Sequence, residues 1–156
     1  ALARIAGEGD LPPALDLSQE LIYRSVARLP QEPVNRTEML MLTGGEGGGY
    51  AWGFNGKPMM HETLFTVRAG ERISVMMHNM TGMSHPMHLH GHYFKVTAIG
   101  GTAVDGALRD VVLVPPSQSV TITFDADNPG NWAFHCHHAY HMNAGMMAAI
   151  AYTGAA

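Results

Sequence analysis

The sequence predicts an all-β domain built as a sandwich of two sheets. From Thr37 onward, short apolar runs are separated by Gly, Pro, Asn and Asp, as the closely spaced turns of a sandwich require. Residues 119–124 alternate between hydroxyl-bearing and apolar side chains, which is the period of a half-buried strand. No internal repeat is visible. The 156 residues suffice for one domain with a sizeable core but not for two of ordinary size.

Residues 1–36 are predicted to form a lead-in or linker, and residues 37–156 the domain. Glycine and proline recur through the first segment, and only residues 15–29 have the composition of a short helix or strand. We therefore expect little independent structure before Thr37.

Nine strands follow in order, each ending near a turn residue. They are Glu38–Thr43, Tyr50–Phe54, Leu64–Arg68, Arg72–Asn79, Tyr93–Ile99, Arg109–Leu113, Ser119–Asp125, Asn131–Cys136 and Met146–Tyr152. The glycine-rich turn at 44–49 lacks the Lys-Ser/Thr of a phosphate-binding loop, so it does not indicate nucleotide binding.

The run from His135 to Met146 reads HCHHAYHMNAGM and contains the only cysteine of the chain. Thiolate, imidazole and thioether form a soft donor set that suits copper. Cys136, His141 and Met146 are spaced by five and five, so a strand end followed by a short loop could bring them to one metal. Trigonal blue-copper sites use two histidines, and a second imidazole must therefore come from elsewhere.

A second histidine-rich run, HPMHLHGH at 85–92, is the natural source of that imidazole. Each run also contains a His-x-His pair, His88 with His90 and His135 with His137. In extended backbone, His135 and His137 point to the face opposite Cys136. The pattern therefore predicts a second metal centre within about 10 Å of the first, linked to it through neighbouring residues.

The segments HPMHLHGHYF and HCHHAYHMNAGMM resemble the two copper motifs of the C-terminal cupredoxin domain of multicopper oxidases, including laccase-like enzymes and periplasmic copper-resistance oxidases. The resemblance extends from about Thr37 to Tyr152 and implies a Greek-key β-sandwich of the cupredoxin type. It implies copper ligands of three classes. The type 1 ligands are His85, Cys136, His141 and Met146, the type 2 ligand is His88, and the type 3 ligands are His90, His135 and His137.

This resemblance also implies an activity and partners. In the family, a small reducing substrate gives single electrons to type 1 copper, and these pass through Cys136 and its flanking histidines to a trinuclear cluster that reduces dioxygen to water. That cluster needs eight imidazoles, of which this chain matches four. The others would come from an N-terminal cupredoxin domain or from further copies of this chain, since a twofold axis would bring two half-sites together.

Two other functions fit part of the pattern. A single-domain electron-transfer protein would use only the type 1 copper and would leave both His-x-His pairs without a role. A copper storage or delivery protein would use the methionines, because cuprous copper favours thioethers. Twelve methionines are many for this length, although filling of core gaps accounts for most of them. Several cluster near the copper motifs, at Met76, Met77, Met80, Met83, Met87, Met142, Met146 and Met147.

Four histidines lie outside the motif positions. His61 is expected in a loop and His78 at a strand end, each as a packed or surface side chain. His92 follows a glycine turn and could support a ligand. His138 stands where the family usually has an aliphatic residue, and it could tune solvent access to the type 1 centre.

Composition excludes several function classes. The net charge of −4, with only 14% charged residues, gives no basic surface for nucleic acid. No apolar run approaches the length of a membrane span. A single cysteine excludes an internal disulfide. A signal peptide and an initiator Met are both absent, so we expect a mature or excised chain, and the copper chemistry suggests a periplasmic or secreted location.

Overall fold

The computed structural model describes residue 29, residues 32–45 and residues 49–154. The predicted lead-in, including its candidate element at 15–29, falls almost entirely outside these described residues. Its boundary with the domain therefore stays a prediction. Within the described residues, no helix has the length and apolar character to cross a membrane.

The regular secondary structure of the described residues is nearly all strand, which confirms the predicted all-β class. Its twelve strands and one short helix are β1 Arg36–Gly44, β2 Trp52–Phe54, β3 Met59–Val67, β4 Arg72–Asn79, β5 His85–Leu89, β6 Phe94–Ile99, β7 Thr102–Ala103, β8 Leu108–Arg109, β9 Val111–Val114, β10 Ser119–Asp125, β11 Asn131–Cys136, α1 Ala139–Asn143 and β12 Met146–Tyr152.

The strands form two sheets. The first has the order β2-β1-β4-β10-β6-β7, with β8 paired to β6, and the second has the order β3-β12-β11-β5-β9. Most pairs are antiparallel, whereas β1 with β4 and β12 with β3 are parallel. The edge strands of the second sheet are β3 and β9, which leaves β11 and β5 near its centre.

A single core fills the space between the sheets. Its largest side chains include Phe54 of β2, Phe94 of β6, Phe124 of β10 and Phe134 of β11, none of them more than 1% exposed. Burying a side chain of this size stabilises the folded state by about 1.5–3 kcal/mol. Buried and exposed residues alternate along β1 from Met39 to Leu42. In β10 the apolar residues Val120, Ile122 and Phe124 are buried, as their spacing predicts, and Thr123 is buried as well.

Register in the second sheet decides where the histidines point. Strand β11 pairs with β5 so that His135 lies opposite His88 and Cys136 lies opposite Met87. Because alternate residues face opposite sides of a sheet, His135 and His88 share the outer face. Cys136 and Met87 face the core.

Several strands match their predicted bounds, and three regions differ. Strand β5 was not predicted, because its histidine-rich sequence lacks a strand pattern of its own, and it forms by pairing with β11 and β9. The predicted strand 64–68 begins earlier, at Met59, so His61 lies in β3 rather than in a loop. His61 has a positive φ of 67°, and a register shift nearby interrupts the alternation by which a strand is recognised. The predicted strand 109–113 is divided between β8 and β9.

Candidate metal centres

The first centre lies on the core side of the second sheet and consists of His85, Cys136 and His141. The thiol sulfur of Cys136 is 3.7 Å from Nδ1 of His85 and 3.7 Å from Nδ1 of His141. The two Nδ1 atoms are 3.1 Å apart. All three side chains are fully buried, so a thiol and two imidazole nitrogens converge on one small volume.

Three elements bring these ligands together. His85 begins β5, Cys136 ends β11 and His141 lies in α1. The segment between Cys136 and Met146 was predicted as a loop, and this was wrong, because residues 139–143 form one helical turn. That turn folds the chain back, so that His141 faces the residue five positions before it.

A chain of hydrogen bonds fixes the orientation of Asn79 and Thr81 beside His85. The Asn79 amide nitrogen donates to the carbonyl oxygens of Met83, at 2.7 Å, and Val114, at 3.0 Å, which can only accept. The Asn79 side-chain oxygen must therefore face Thr81. It accepts from the backbone N–H of Thr81 at 2.9 Å and from its hydroxyl at 2.8 Å.

This network provides a partner for Nε2 of His85. The Thr81 hydroxyl lies 2.7 Å from that nitrogen. The hydroxyl can donate its one hydrogen to the Asn79 side-chain oxygen, at 2.8 Å, or to the Met83 carbonyl, at 3.1 Å, and it can then accept the Nε2–H of His85. In that tautomer the lone pair of the ring is on Nδ1, which faces Cys136 and His141.

Two aromatic rings enclose His141. The Trp52 ring stacks on the His141 imidazole, with 4.0 Å between the ring centroids and 26° between the ring planes. His138 stacks on His141 at 4.2 Å and 27°. His138 is thus a packing neighbour of a ligand, in agreement with a role in controlling solvent access.

Burial sets the protonation of the first centre. It raises the pKa of the Cys136 thiol to about 11, against the opposing effect of a backbone hydrogen bond from His138. Burial, followed by the nearby His141 and His138, lowers the pKa of His85 to about 4. The pKa of His141 is lowered by burial and then by His138. Both imidazoles are therefore neutral ligands, and a metal would displace the thiol proton.

Met146, the fourth predicted ligand, is fully buried at the start of β12. Its neighbour Met147 pairs with His135 on the outer face, so Met146 faces the core on the same side as Cys136. Gly145 precedes it with a φ of 116°, and a Cβ there would lie 2.4 Å from the Trp52 carbonyl oxygen. Only glycine fits this connection between α1 and β12.

The second centre lies on the outer face of the same sheet and consists of His88, His90 and His135. Nε2 of His90 is 3.0 Å from Nε2 of His135, and the candidate ligand atoms of all three lie within 4.8 Å of one another. Nδ1 of His88 donates to the Asp110 carbonyl at 2.7 Å, and Nδ1 of His135 donates to the Cys136 carbonyl at 3.0 Å. Each Nε2 is therefore left as the ligand atom.

His137, predicted with this set, lies at its edge. Its ring is 5.6 Å from that of His88 and 5.9 Å from that of His135, and it is exposed. The structure thus groups three of the four predicted imidazoles closely, with His137 beside them.

The two centres are joined through β11. Cys136 and His135 are consecutive and point to opposite faces, and the His135 ring is hydrogen-bonded to the Cys136 backbone. This is the arrangement expected for a His-Cys-His sequence in an extended strand.

Sequence reasoning missed the supporting residues Asn79, Thr81 and Trp52. No spacing or motif singled them out, since their roles depend on contacts made only in the fold. His92, considered as a support, lies between Tyr152 and a candidate ligand: its Nε2 is 2.7 Å from the tyrosine hydroxyl, and its Nδ1 is 3.2 Å from the His90 carbonyl oxygen. It belongs to neither of the two groups.

The donor chemistry of both centres fits copper. A thiol with two neutral imidazoles in a buried site is a copper-type set, and clustered imidazoles also suit copper. Within the described residues, these two groups are the ones whose His, Cys, Asp or Glu ligand atoms approach closely enough to hold one ion.

Comparisons with known proteins agree with this chemistry. The sequence model of the multicopper oxidase family matches residues 31–155. The chain is 42% identical over 109 residues to multicopper oxidase MmcO of Mycobacterium tuberculosis, covering 70% of this chain and 21% of that protein. It is 36% identical over 116 residues to copper resistance protein A of Escherichia coli, covering 74% of this chain and 18% of that protein.

Solved structures give the same result. The blue copper oxidase from Nitrosomonas europaea matches with a TM-score of 0.70 and 26% identity, over 81% of this chain and 47% of that one. A multicopper oxidase from Pediococcus acidilactici matches with a TM-score of 0.71 and 25% identity, over 81% and 29%. The chain spans about a fifth of the length of the curated relatives. With a match to the family model over most of its length, the chain belongs to the multicopper oxidase family, whose cofactor is copper.

Proposed function

We propose that this chain is the C-terminal cupredoxin domain of a copper-dependent oxidase that takes single electrons from a reducing substrate and reduces dioxygen to water. The observation that carries the proposal is the pair of donor clusters on opposite faces of β11. An oxidase of this kind needs an electron-accepting site and an oxygen site in close contact, and the adjacent residues His135 and Cys136 supply one ligand to each.

The inner cluster is proposed as the type 1 site, held by His85, Cys136 and His141 with Met146 as a weak axial ligand. Copper bound by such a set supplies one-electron redox chemistry. The protein contributes a dry site, since all four side chains are buried. It also contributes the Thr81 hydroxyl, which can accept the Nε2–H of His85 and leave Nδ1 to the metal.

The outer cluster is proposed as half of the oxygen-reducing site. His88 would be the type 2 ligand, and His90, His135 and His137 the type 3 ligands. These imidazoles lie on an outer face of the sandwich, where another protein surface can approach them. We infer that the remaining imidazoles come from an N-terminal cupredoxin domain or from a second copy of this chain, because four cannot complete an eight-imidazole cluster.

The donor is proposed to be a small reducing compound such as a phenol, an aromatic amine or a cuprous ion. Relatives named laccase and copper resistance protein A support this range without selecting within it. A periplasmic or secreted location is also proposed. Its support is the copper-type chemistry of the two donor clusters and the similarity to copper resistance protein A.

An electron carrier with only the inner copper remains the competing function. It would leave the outer imidazoles, which lie within ligand distance of one another, without a role. Copper titration followed by absorption spectroscopy separates the two functions. The oxidase domain should show a thiolate-to-copper band from the inner site and further copper bound at the outer cluster, lost in His88→Ala/His135→Ala. Saturation at about one copper per chain, with no effect of that double substitution on stoichiometry, would favour the carrier instead.

A further inference from the structure

The outer face of the first sheet carries a group of thioethers around one imidazole. Met39 and Met41 of β1 pair in register with Met76 and His78 of β4. Met80 follows, and its backbone N–H donates to the Leu42 carbonyl at 2.9 Å, which continues the pairing beyond the strand. We call these five residues the methionine face.

The methionine face points to solvent. Met39 is 63% exposed, Met41 42% and Met80 56%, whereas Met76 and His78 are half-buried. The residues between them, Leu40, Leu42 and Met77, face the core. Core packing explains inward methionines such as Met77. It does not explain thioethers on the solvent-facing side of a sheet, where polar side chains are usual.

His78 is held in position at the centre of this group. Its Nδ1 lies 2.8 Å from the Ser119 hydroxyl on β10, which pairs with β4 on the other side. With the serine accepting from Nδ1–H, the lone pair of the ring is on Nε2. His78 is flanked by Met41 across the strands and by Met76 and Met80 along its own strand.

The spacing allows these side chains to meet at one ion. Paired residues on neighbouring strands lie about 4.8 Å apart, and alternate residues of one strand about 6.6 Å apart. Methionine has three rotatable bonds, so the sulfurs of Met39, Met41 and Met76, which occupy neighbouring register positions around His78, can converge near its Nε2. The five positions include no Asp, Glu, Lys or Arg, which disfavours hard cations such as Ca²⁺ or Mg²⁺.

We propose that the methionine face is a third copper site, which binds a cuprous ion through the thioethers of Met39, Met41 and Met76 and through Nε2 of His78. Soft thioethers select copper(I) among biological metals, and imidazole also binds copper. The proposed oxidase does not require this site, which lies on the other sheet from both centres described above.

The test uses the full chain labelled with ¹³C at the methionine methyl groups and titrated with silver(I), a redox-inert substitute for copper(I), and then with copper(I) under anaerobic conditions. The methyl resonances of Met39, Met41 and Met76 should shift on binding. In Met39→Leu/Met41→Leu/Met76→Leu, about one bound cuprous ion per chain should be lost, because leucine keeps the apolar surface but has no lone pair. His78→Gln should weaken binding of the same ion.

The matched control is Met60→Leu/Met83→Leu, which changes methionines of similar exposure, 52% and 45%, that lie elsewhere. This variant should retain the cuprous ion. Unshifted methyl resonances of the methionine face in excess silver(I), or equal copper(I) stoichiometry in the triple variant and the wild type, would overturn the site. In that event the face would be an apolar contact surface, and the inner and outer centres would be unaffected.

Discussion

Thr81 illustrates how a residue that binds no metal can prepare one that does. Its hydroxyl lies 2.7 Å from Nε2 of His85 and can accept the Nε2–H while donating its own hydrogen to an oxygen of Asn79 or Met83. Without that acceptor, the hydrogen of the ring could move to Nδ1, and the lone pair would then face away from Cys136.

Thr81→Val is therefore expected to weaken copper binding at the inner site by about 10–100-fold, as for other partners of metal-bound histidines. Competition with a chelator, followed by the thiolate-to-copper band, measures the change. Thr81→Ser keeps the hydroxyl and should therefore bind copper about as tightly as the wild type. If Thr81→Val binds copper as tightly as the wild type, the hydroxyl does not position His85.

Cys136→Ser is expected to abolish the blue absorption while leaving the protein folded, because a hydroxyl cannot replace the soft thiolate. Circular dichroism and the visible spectrum of the copper-loaded protein give both readings. A band that persists in this variant would refute the assignment of Cys136.

Met146→Leu should be milder than Cys136→Ser. The axial thioether is a weak, long ligand, so the colour should remain and the reduction potential should rise. Potentiometric titration of the visible band measures this. A variant that no longer binds copper at the inner site would show that Met146 is a principal ligand.

At the scale of single residues, the sequence singled out the candidate ligands but not the residues that support them. Thiol, imidazole and thioether at set spacings can be recognised in one dimension, because the metal requires those atom types. Thr81 and Trp52 act through hydrogen bonding and ring stacking, which many residue types can provide, so their roles emerge only from contacts in the fold.

Among the elements, β5 was the main omission although it contains His85 and His88. Its sequence mixes histidine, proline and methionine and shows no apolar period, and it becomes a strand because β11 and β9 hydrogen-bond to both of its edges. The helical turn α1 was missed for a similar reason, since five residues are too few for a helical pattern to be recognised. Strands with clear alternation, such as β10, were predicted at their observed bounds.

The ion pair between β4 and β10 should matter for stability. The guanidinium of Arg72 is bound by both carboxylate oxygens of Asp125, at 2.6 and 2.7 Å, and the Arg72 side chain is only 8% exposed. Asp125→Ala should lower the free energy of unfolding by about 3 kcal/mol, because a buried charge loses its partner. Chemical denaturation measures the change.

The pair formed by Lys95 and Asp105 is the control for that prediction, since Asp105 is 59% exposed. Asp105→Ala should lower the free energy of unfolding by less than about 1 kcal/mol, because solvent-exposed ion pairs contribute little to stability. Equal losses in the two variants would contradict the view that burial decides the importance of the Arg72 pair.

At the scale of the whole molecule, the two faces of the second sheet separate two kinds of chemistry. The second sheet buries a thiol-imidazole site on its inner face and presents imidazoles on its outer face. The sequence indicated this division through the two His-x-His pairs. The close grouping of His88, His90 and His135, with His137 at the edge, depends on the register between β11 and β5, which no spacing within one run could specify.

The imidazoles of the outer face also predict a dependence on a partner. Four of them cannot complete the proposed oxygen site, and together they form a surface that metal ions can bridge between molecules. A strictly monomeric chain should therefore bind copper at the inner site and reduce dioxygen poorly or not at all.

The most direct test is oxygen uptake in the presence of a reducing donor, with molecular mass measured by light scattering on the same copper-loaded sample. The account predicts that turnover appears only in associated chains or with a partner domain. It also predicts that His135→Ala/His137→Ala stays blue, monomeric and inactive. Robust dioxygen reduction by a confirmed monomer of the unmodified chain would contradict the claim that a partner must complete the outer centre.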